Sequence, residues 1–283
     1  MISSGGPNLW IDVPEPATLP RRRGGRSVPV GLFPPASTFI CRVHVGALDA
    51  KARSAYVELG YVNHYRYEYR DSDGHHGVRS GHVWLPHSRY PVALTPGRPT
   101  LARFTLPPYG PPSVHRIAEW KLRAVIDRRH GLDTTAELPL TVPTEHGMYD
   151  HMPMPLPAPS RSVPIYVEFD GTAHLRRGYT VTGRLVGHPV QHVKARAVRL
   201  ELERVQHERR GLIQRRTMVT LPLAGSFTIL PGYPFQLPFA LPLSPALTPS
   251  CYAANNSWEW QLKAVVDVEL AMDPVSTTPI TLT

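Results

Sequence analysis

The residues that come closest to a metal-binding pattern lie in one short polar segment and are Asp71, Asp73, His75 and His76. Carboxylates and imidazoles are common metal ligands, but a calcium loop of the EF-hand type requires more oxygen ligands, including a glutamate beyond its glycine. A zinc site requires further ligands at a fitting distance, and adjacent histidines on a strand face opposite sides. The segment therefore fits a solvated turn better than a metal site, and we predict no metal or cofactor.

Two pairs of aspartates, Asp127 with Asp133 and Asp267 with Asp273, each provide the two carboxyl groups that a general acid and a general base would require. Each pair brackets a turn at the same place in one half of the chain, which favours a structural role in a hairpin. The sequence contains no nucleophile elbow, phosphate loop or dinucleotide fingerprint. We therefore predict no catalytic residues and a protein that is not an enzyme.

These aspartates belong to an internal repeat, which determines how the rest of the chain is interpreted. Residues 119–127 read EWKLRAVID and residues 259–267 read EWQLKAVVD, at an offset of 259 − 119 = 140. Apolar and polar residues alternate in both copies, as in a strand with one buried face. A longer alternating segment, residues 55–69, recurs in the second half as residues 198–209. The repeat predicts two copies of one β-sandwich.

The predicted architecture is all-β, with two tandem immunoglobulin-like, antiparallel β-sandwich domains. The N-terminal sandwich covers residues 26–143, a Pro-rich linker covers 144–162 and the C-terminal sandwich covers 163–283. Residues 1–25 are rich in Pro, Gly and Arg and are expected to form a flexible tail, because they hold little apolar surface to bury. Trp10 and Ile11 leave open the alternative that the tail docks on a neighbouring sheet.

The cellular location is predicted from three features of the sequence. No apolar run is long enough to span a bilayer, and the N-terminus lacks the basic and then apolar order of a secretory signal. Cys41 and Cys251 occupy unrelated positions of the two halves, which does not fit a disulfide framework. A cytoplasmic protein is therefore expected.

The two halves share an order of segments that points to a family. Each half has a long strand, a hairpin, a Pro-Gly turn, a Phe-x-Leu-Pro segment and the Trp strand, most clearly in residues 231–281. This order resembles the arrestin-like family, which includes the α-arrestins, an arrestin-fold subunit of retromer and bacterial sporulation-control proteins, over about residues 37–283. The resemblance implies an N-like and a C-like arrestin sandwich and a general role in protein binding. The phosphate-sensor motif of receptor arrestins is not found, so the resemblance implies no specific partner.

The two copies differ most at their hairpin tips, and function is expected there. The net charge of +9 comes almost entirely from arginine, a bias that fits either a GC-rich genome or bidentate contacts with acidic groups. The candidate partner-binding residues at the second tip are Arg209, Arg210, Arg215 and Arg216. At the first tip they are Tyr67, Tyr69, Asp71, Asp73, His75 and His76.

Our leading hypothesis is a non-enzymatic adaptor or scaffold that binds an unidentified protein through hairpin tips and edge strands. An open edge that pairs with a second copy would produce a homo-oligomer. The alternative is a basic surface module that binds an anionic membrane or nucleic acid, with an affinity that falls steeply with salt. The absence of aromatic residues within the basic segment 204–216 argues against single-stranded nucleic acid.

Overall fold

The computed structural model describes residues 2–6, 8–14, 17–23, 26–48, 51–70, 74–129, 131–144, 163–171, 174–209, 212–269 and 272–283. The regular elements in these ranges are β-strands, which confirms the prediction of an all-β protein. The same ranges contain no helix long and apolar enough to cross a membrane. Almost all of the predicted linker, residues 145–162, lies outside the described residues.

The first half of the chain contributes ten strands. They are β1 (Ile2–Gly6), β2 (Leu9–Val13), β3 (Ala17–Arg23), β4 (Arg26–Leu32), β5 (Thr38–Val45), β6 (Ala52–Arg70), β7 (His76–Val92), β8 (Thr100–Thr105), β9 (Ala118–Arg128) and β10 (Thr134–Thr141). The second half contributes ten more. They are β11 (Ile165–Phe169), β12 (His174–Leu175), β13 (Thr180–Gly187), β14 (Val193–His207), β15 (Ile213–Ala224), β16 (Phe227–Ile229), β17 (Phe235–Pro242), β18 (Cys251–Tyr252), β19 (Ser257–Val268) and β20 (Val275–Leu282).

The chain divides into two compact units. Unit 1 comprises residues 1–145 together with residues 253–256, and unit 2 comprises residues 146–252 and 257–283. The short segment 253–256 therefore groups with unit 1, although the sequence places it between two strands of the second half.

Unit 1 is a β-sandwich. Its strands form two sheets, in the orders β1-β2-β5-β8 and β3-β4-β10-β9-β6-β7, and every pairing is antiparallel except that of β4 with β10. Ile11 and Val43 of the first sheet share one apolar core with Leu59 and Leu122 of the second. Alternation of apolar and polar residues along each strand places these side chains on the inner faces.

Unit 2 has the same plan. A sheet in the order β11-β13-β17 faces a sheet in the order β12-β20-β19-β14-β15, in which β16 also pairs with β14 and β18 with β19. Leu185 and Leu241 of the smaller sheet share a core with Leu200 and Leu262 of the larger one. Both units are therefore sandwiches with a single core each.

A tryptophan lies at the same point of the repeat in both cores. Trp120 and Trp260 are each 2% exposed. The indole Nε1 of Trp120 donates to the carbonyl oxygen of Pro111 at 2.6 Å, and that of Trp260 donates to Thr248 at 3.0 Å. Each large ring thus adds apolar area to the core without leaving its N–H unpaired.

The long strands of the two repeats extend beyond the cores they help to build. Strand β6 has 19 residues and β14 has 15, whereas β5, β13 and β17, in the facing sheets, have eight each. The apolar core uses β6 only as far as Tyr61 and β14 only as far as Leu202. Beyond those residues the inner face of each long strand is no longer covered by the apolar core. The two units differ in the side chains that they place there.

The expectation of a flexible tail over residues 1–25 is wrong for its first part. Strands β1 and β2 form an antiparallel hairpin that pairs with β5. Leu9, Ile11 and Val13 alternate onto the inner face and are buried in the core of unit 1, while the Trp10 ring stacks on His44 at 4.6 Å. The local alternation of three apolar residues outweighs the Pro- and Gly-rich composition around it, as the docking alternative expected.

Both cysteines are buried thiols outside any disulfide, one in each unit. Burial raises the pKa of the Cys41 and Cys251 thiols to about 12. Both thiols are therefore protonated near neutral pH and behave as small apolar core residues.

A glycine in the middle of the smaller sheet of unit 2 provides a test of this packing. Gly183 lies in β13, and a Cβ added there would be 2.2 Å from the carbonyl oxygen of Glu168. We expect Gly183→Ala to lower the free energy of unfolding by about 1–3 kcal/mol, measured by urea denaturation, because backbone must shift to relieve the overlap. Gly225→Ala is the matched control, since its Cβ would meet nothing within 4 Å. Equal stability of the two variants would contradict this packing.

Candidate functional site

The inner face of unit 2 changes character at the end of its long strands. Leu200 and Leu202 of β14 face the core, so the period of two places Arg204 and Gln206 on the same face. In the ladder between β14 and β19, Arg204 lies opposite Trp260 and Gln206 lies opposite Trp258. The face that is apolar along most of the sheet therefore becomes basic and amide-rich where the core ends.

The edge strand β15 continues this change. Arg216 lies directly opposite Arg204, and Gln214 lies directly opposite Gln206. Together with Arg215, these residues line a cavity of about 410 Å³, which we call the basic pocket. Among the described residues that line it, three are arginines and none carries a carboxylate. The basic pocket is thus rich in hydrogen-bond donors and positive charge.

Arg204 is the most constrained of these cations. Its guanidinium lies 4.2 Å from the centre of the Trp258 ring, a cation–π contact that holds its plane. Burial lowers the pKa of Arg204, and the charge of Arg216 lowers it further. Like charges directly opposite each other on a sheet are destabilising. The free protein therefore holds two cations close together at a cost in free energy.

Two buried donors at this place have no hydrogen-bond partner among the described residues. They are the Nε of Arg204 and the indole Nε1 of Trp258. A buried donor without an acceptor loses its hydration and gains nothing in return. Gln206, by contrast, donates to the buried carboxylate of Glu208, which is not among the described lining residues. The basic pocket is therefore deficient in acceptors at Arg204 and Trp258.

The opposite face of the same strands carries the reverse arrangement, in which every buried acid is paired. Lys263 Nζ lies 3.0 Å from Glu201 and 3.1 Å from Glu203, and Arg199 Nε donates to Glu201 at 2.7 Å. Gln261 adds a hydrogen bond to Glu203. The buried acids of the outer face are thus paired with cations, whereas no acid is among the described residues that line the basic pocket.

Of the four arginines predicted at the second hairpin tip, the three that are described lie in different places. Arg215 and Arg216 line the basic pocket, while Arg209 is exposed just beyond the end of β14. Arg210 lies outside the described residues.

Sequence reasoning missed Arg204, Gln206, Gln214 and Trp258 as members of the site. Segment 204–216 has no aromatic residue of its own, and the ring that contacts Arg204 is Trp258 of the neighbouring strand β19. The signal for these residues is the strand alternation. Continued past Leu202 on β14 it places Arg204 and Gln206 on the inner face, and continued from Trp260 back along β19 it places Trp258 there.

At the first tip the tyrosines lie against the neighbouring strand. The Arg79 guanidinium lies 4.0 Å from the centre of the Tyr69 ring, and a Cβ at Gly77 would be 2.8 Å from an atom of that ring. Tyr67 and Tyr69 are half-buried. An aromatic ring that covers a cross-strand glycine stabilises a sheet, so Tyr69 has a structural role here.

The remaining candidates of the first tip are described only in part. His75 and His76 are exposed, and Asp71 and Asp73 lie outside the described residues. Within the part of the chain that the structure describes, no group of three or more His, Cys, Asp or Glu residues is placed to hold a metal ion.

One aspartate of each pair, Asp133 and Asp273, has the hairpin role that the repeat indicated. Asp133 accepts a hydrogen bond from the backbone N–H of Arg128 at 3.1 Å, and Asp273 accepts one from Val268 at 3.0 Å. Each therefore closes the hairpin that follows the Trp strand of its unit.

The acids on the outer face predict a pH dependence of stability. Burial raises the pKa of Glu201, but hydrogen bonds and charge from Arg199 and Lys263 outweigh it and leave the pKa lowered. Its ionised form then stabilises the fold above the ordinary pKa of a glutamate, and this contribution is lost as the pH falls through the lowered value. We expect Glu201→Gln to reduce the free energy of unfolding near pH 7, with a difference from wild type that shrinks in acid.

Urea denaturation at neutral and acidic pH measures this effect. Glu137→Gln is the control, since its ion pair with Lys121 is exposed and should contribute little. A difference between Glu201→Gln and wild type that stays constant with pH would contradict the assignment.

The opposed arginines predict a substitution that stabilises the free protein. Arg216→Gln removes the charge opposite Arg204, and we expect it to raise the free energy of unfolding by about 0.2–1 kcal/mol at low ionic strength. Added salt should reduce the gain, because it screens the repulsion. Urea denaturation measures both effects. Arg184→Gln is the control and should give no gain, because Arg184 is paired with Glu168 at 2.7 Å. A loss of stability in Arg216→Gln would show that Arg216 is not in conflict with Arg204.

Comparisons with known proteins place few limits on the function. No family model matches the sequence, and no match is found among curated proteins. Among solved structures, the chain is similar to Spo0M, a sporulation control protein from Bacillus subtilis, with 19% identity and a TM-score of 0.38. That match covers 44% of this chain and only 50% of the Spo0M chain. The sandwich architecture described above rests on the strand pairing and the two cores of this protein.

Proposed function

We propose that this protein is a non-enzymatic adaptor that binds an acidic segment of another protein in the basic pocket of unit 2. The observation that carries the proposal is the pair Arg204 and Arg216, held opposite each other at a place where two donors, Arg204 Nε and Trp258 Nε1, lack acceptors among the described residues. Such an arrangement is unfavourable in the free protein and becomes favourable when a ligand brings negative charge.

The donors favour carboxylates as the ligand groups. A guanidinium offers parallel N–H donors that match the two oxygens of a carboxylate. The contact with Trp258 holds the Arg204 plane before binding, so less conformational entropy is lost when the ligand docks. The net charge of +9 adds long-range attraction for acidic partners.

A binding role also agrees with the contacts of the carboxylates that were considered for acid–base catalysis or are buried in unit 2. Asp133 and Asp273 accept hydrogen bonds from backbone N–H groups, and Glu201 and Glu203 are paired with Lys263. These carboxylates are engaged in structural contacts, which supports an adaptor rather than an acid–base catalyst.

The test uses a fluorescently labelled oligoglutamate peptide and anisotropy at low ionic strength. We expect the wild type to bind it, and the double variant Arg204→Gln/Arg216→Gln to bind it roughly tenfold or more weakly, because the paired donors and charges are removed. Anionic lipid vesicles and a single-stranded oligonucleotide serve as competitors. Tighter binding of either competitor than of the peptide would favour the membrane or nucleic-acid alternative and contradict the proposal.

A charge-matched control separates the pocket from the overall charge. Arg184→Gln/Arg196→Gln changes the net charge by the same amount but removes cations already paired with Glu168 and Asp267. This variant should bind the peptide nearly as well as the wild type. An equal loss in both double variants would mean that general charge, and not the basic pocket, binds the peptide.

A further inference from the structure

The edge strand β15 combines an open backbone with the wall of the basic pocket. It is the last strand of its sheet, and along Ile213–Ala224 it pairs with β14 on one side only, within the part of the chain that is described. The N–H and C=O groups on the other side of such a strand are available to pair with an additional strand. Pro222 is its only proline, so Ile213–Leu221 has no residue that lacks an N–H.

The side chains of this strand define the chemistry of what can pair with it. Arg215 and Arg216 are exposed, and both line the basic pocket together with Gln214. Residues directly opposite each other on paired strands have their Cβ atoms roughly 5 Å apart. Acidic side chains on an added strand would therefore lie within reach of both arginines while its backbone pairs with β15.

The same charges oppose pairing between two copies at this edge. In a symmetric antiparallel pair of β15 strands centred on Arg215 and Arg216, the arginines of one copy would face those of the other. Like charges in that position are destabilising, and charged residues on edge strands are a common protection against such pairing. Charge complementarity thus selects an acidic segment over a second copy of this chain.

We infer that β15 accepts an extended acidic segment of a partner protein as an additional strand of its sheet, with carboxylates at Arg215, Arg216 and the basic pocket. The inference rests on the proposed function and adds the mode of binding to it. Backbone hydrogen bonds along β15 supply affinity that does not depend on side chains, and the arginines select acidic sequences.

Strand β7 supplies an internal comparison. It is also the last strand of its sheet, but Pro86 and Pro91 interrupt its second half, and Tyr65 and Tyr69 cover Gly81 and Gly77 in its first half. Its arginines are already engaged, since Arg79 lies over the Tyr69 ring and Arg89 is paired with Glu58. An acidic segment therefore has less reason to prefer β7.

The experiment compares two peptides with blocked ends in which Glu-Glu pairs alternate with Val-Val pairs, so that both faces of the added strand carry carboxylates. One of the two peptides carries an N-methyl group on every backbone amide. The two have the same charges, but the methylated peptide cannot donate backbone hydrogen bonds. We expect the methylated peptide to bind roughly tenfold or more weakly than the other. Hydrogen exchange of the full protein should slow along Ile213–Leu221 when the unmethylated peptide binds, with no change along β7.

The outcomes separate this inference from the proposed function. Equal binding of both peptides with unchanged exchange in β15 would overturn strand addition and leave an acidic site in the basic pocket. Slower exchange in β7 in place of β15 would also overturn it. Failure of both peptides and of oligoglutamate to bind would overturn the proposed function as well.

Discussion

The structure depends on the alternation of side chains, with a period of two residues, along the long strands that run across each core. In β14 that period places Leu200 and Leu202 against the apolar core. Because neighbouring residues of a strand face opposite ways, Arg204 must lie on the same face as these leucines. The facing sheet is built from shorter strands, so the core ends before β14 does. Where a strand extends beyond the sheet that faces it, its inner face is no longer covered. Apolar side chains there would be exposed to water.

The two units solve this common problem with different chemistry. In unit 1, Tyr65 and Tyr69 lie flat against Gly81 and Gly77 of the neighbouring strand and close the extended face with aromatic area. In unit 2 the corresponding stretch ends in arginines and glutamines beside Trp258, with donors left unpaired. The first solution covers the face with aromatic rings, whereas the second leaves donors without acceptors among the described residues, and our proposal of a binding role for unit 2 rests on this difference.

The electrostatics of unit 2 separate its two faces. On the outer face Glu201 and Glu203 are buried but balanced by Lys263, so that face is stabilised by its charges at neutral pH. At the basic pocket Arg204 and Arg216 carry like charges opposite each other, an arrangement that is expected to lower stability relative to neutral residues. Sites that lower stability in the free state and are relieved by a ligand are typical of binding function.

Much of the architecture follows from the sequence alone, and the reason is that strand alternation is a local property. The repeat of residues 119–127 at 259–267 is enough to predict two all-β halves, the burial of both tryptophans and the structural use of Asp133 and Asp273. The same local signal was present in Leu9–Val13, where surrounding Pro and Gly obscured it. Arg215 and Arg216 were identified because they stand beside a predicted turn.

Only the tertiary structure decided what completes the pocket. Arg204 and Trp258 are distant in the chain, and they meet because β14 and β19 are neighbours in register. Local alternation gives the face of each residue but not the identity of the adjacent strand, since strand order depends on the packing of the whole sheet. The opposition of Arg204 and Arg216, with Trp258 against Arg204, therefore exists only once the chain has folded.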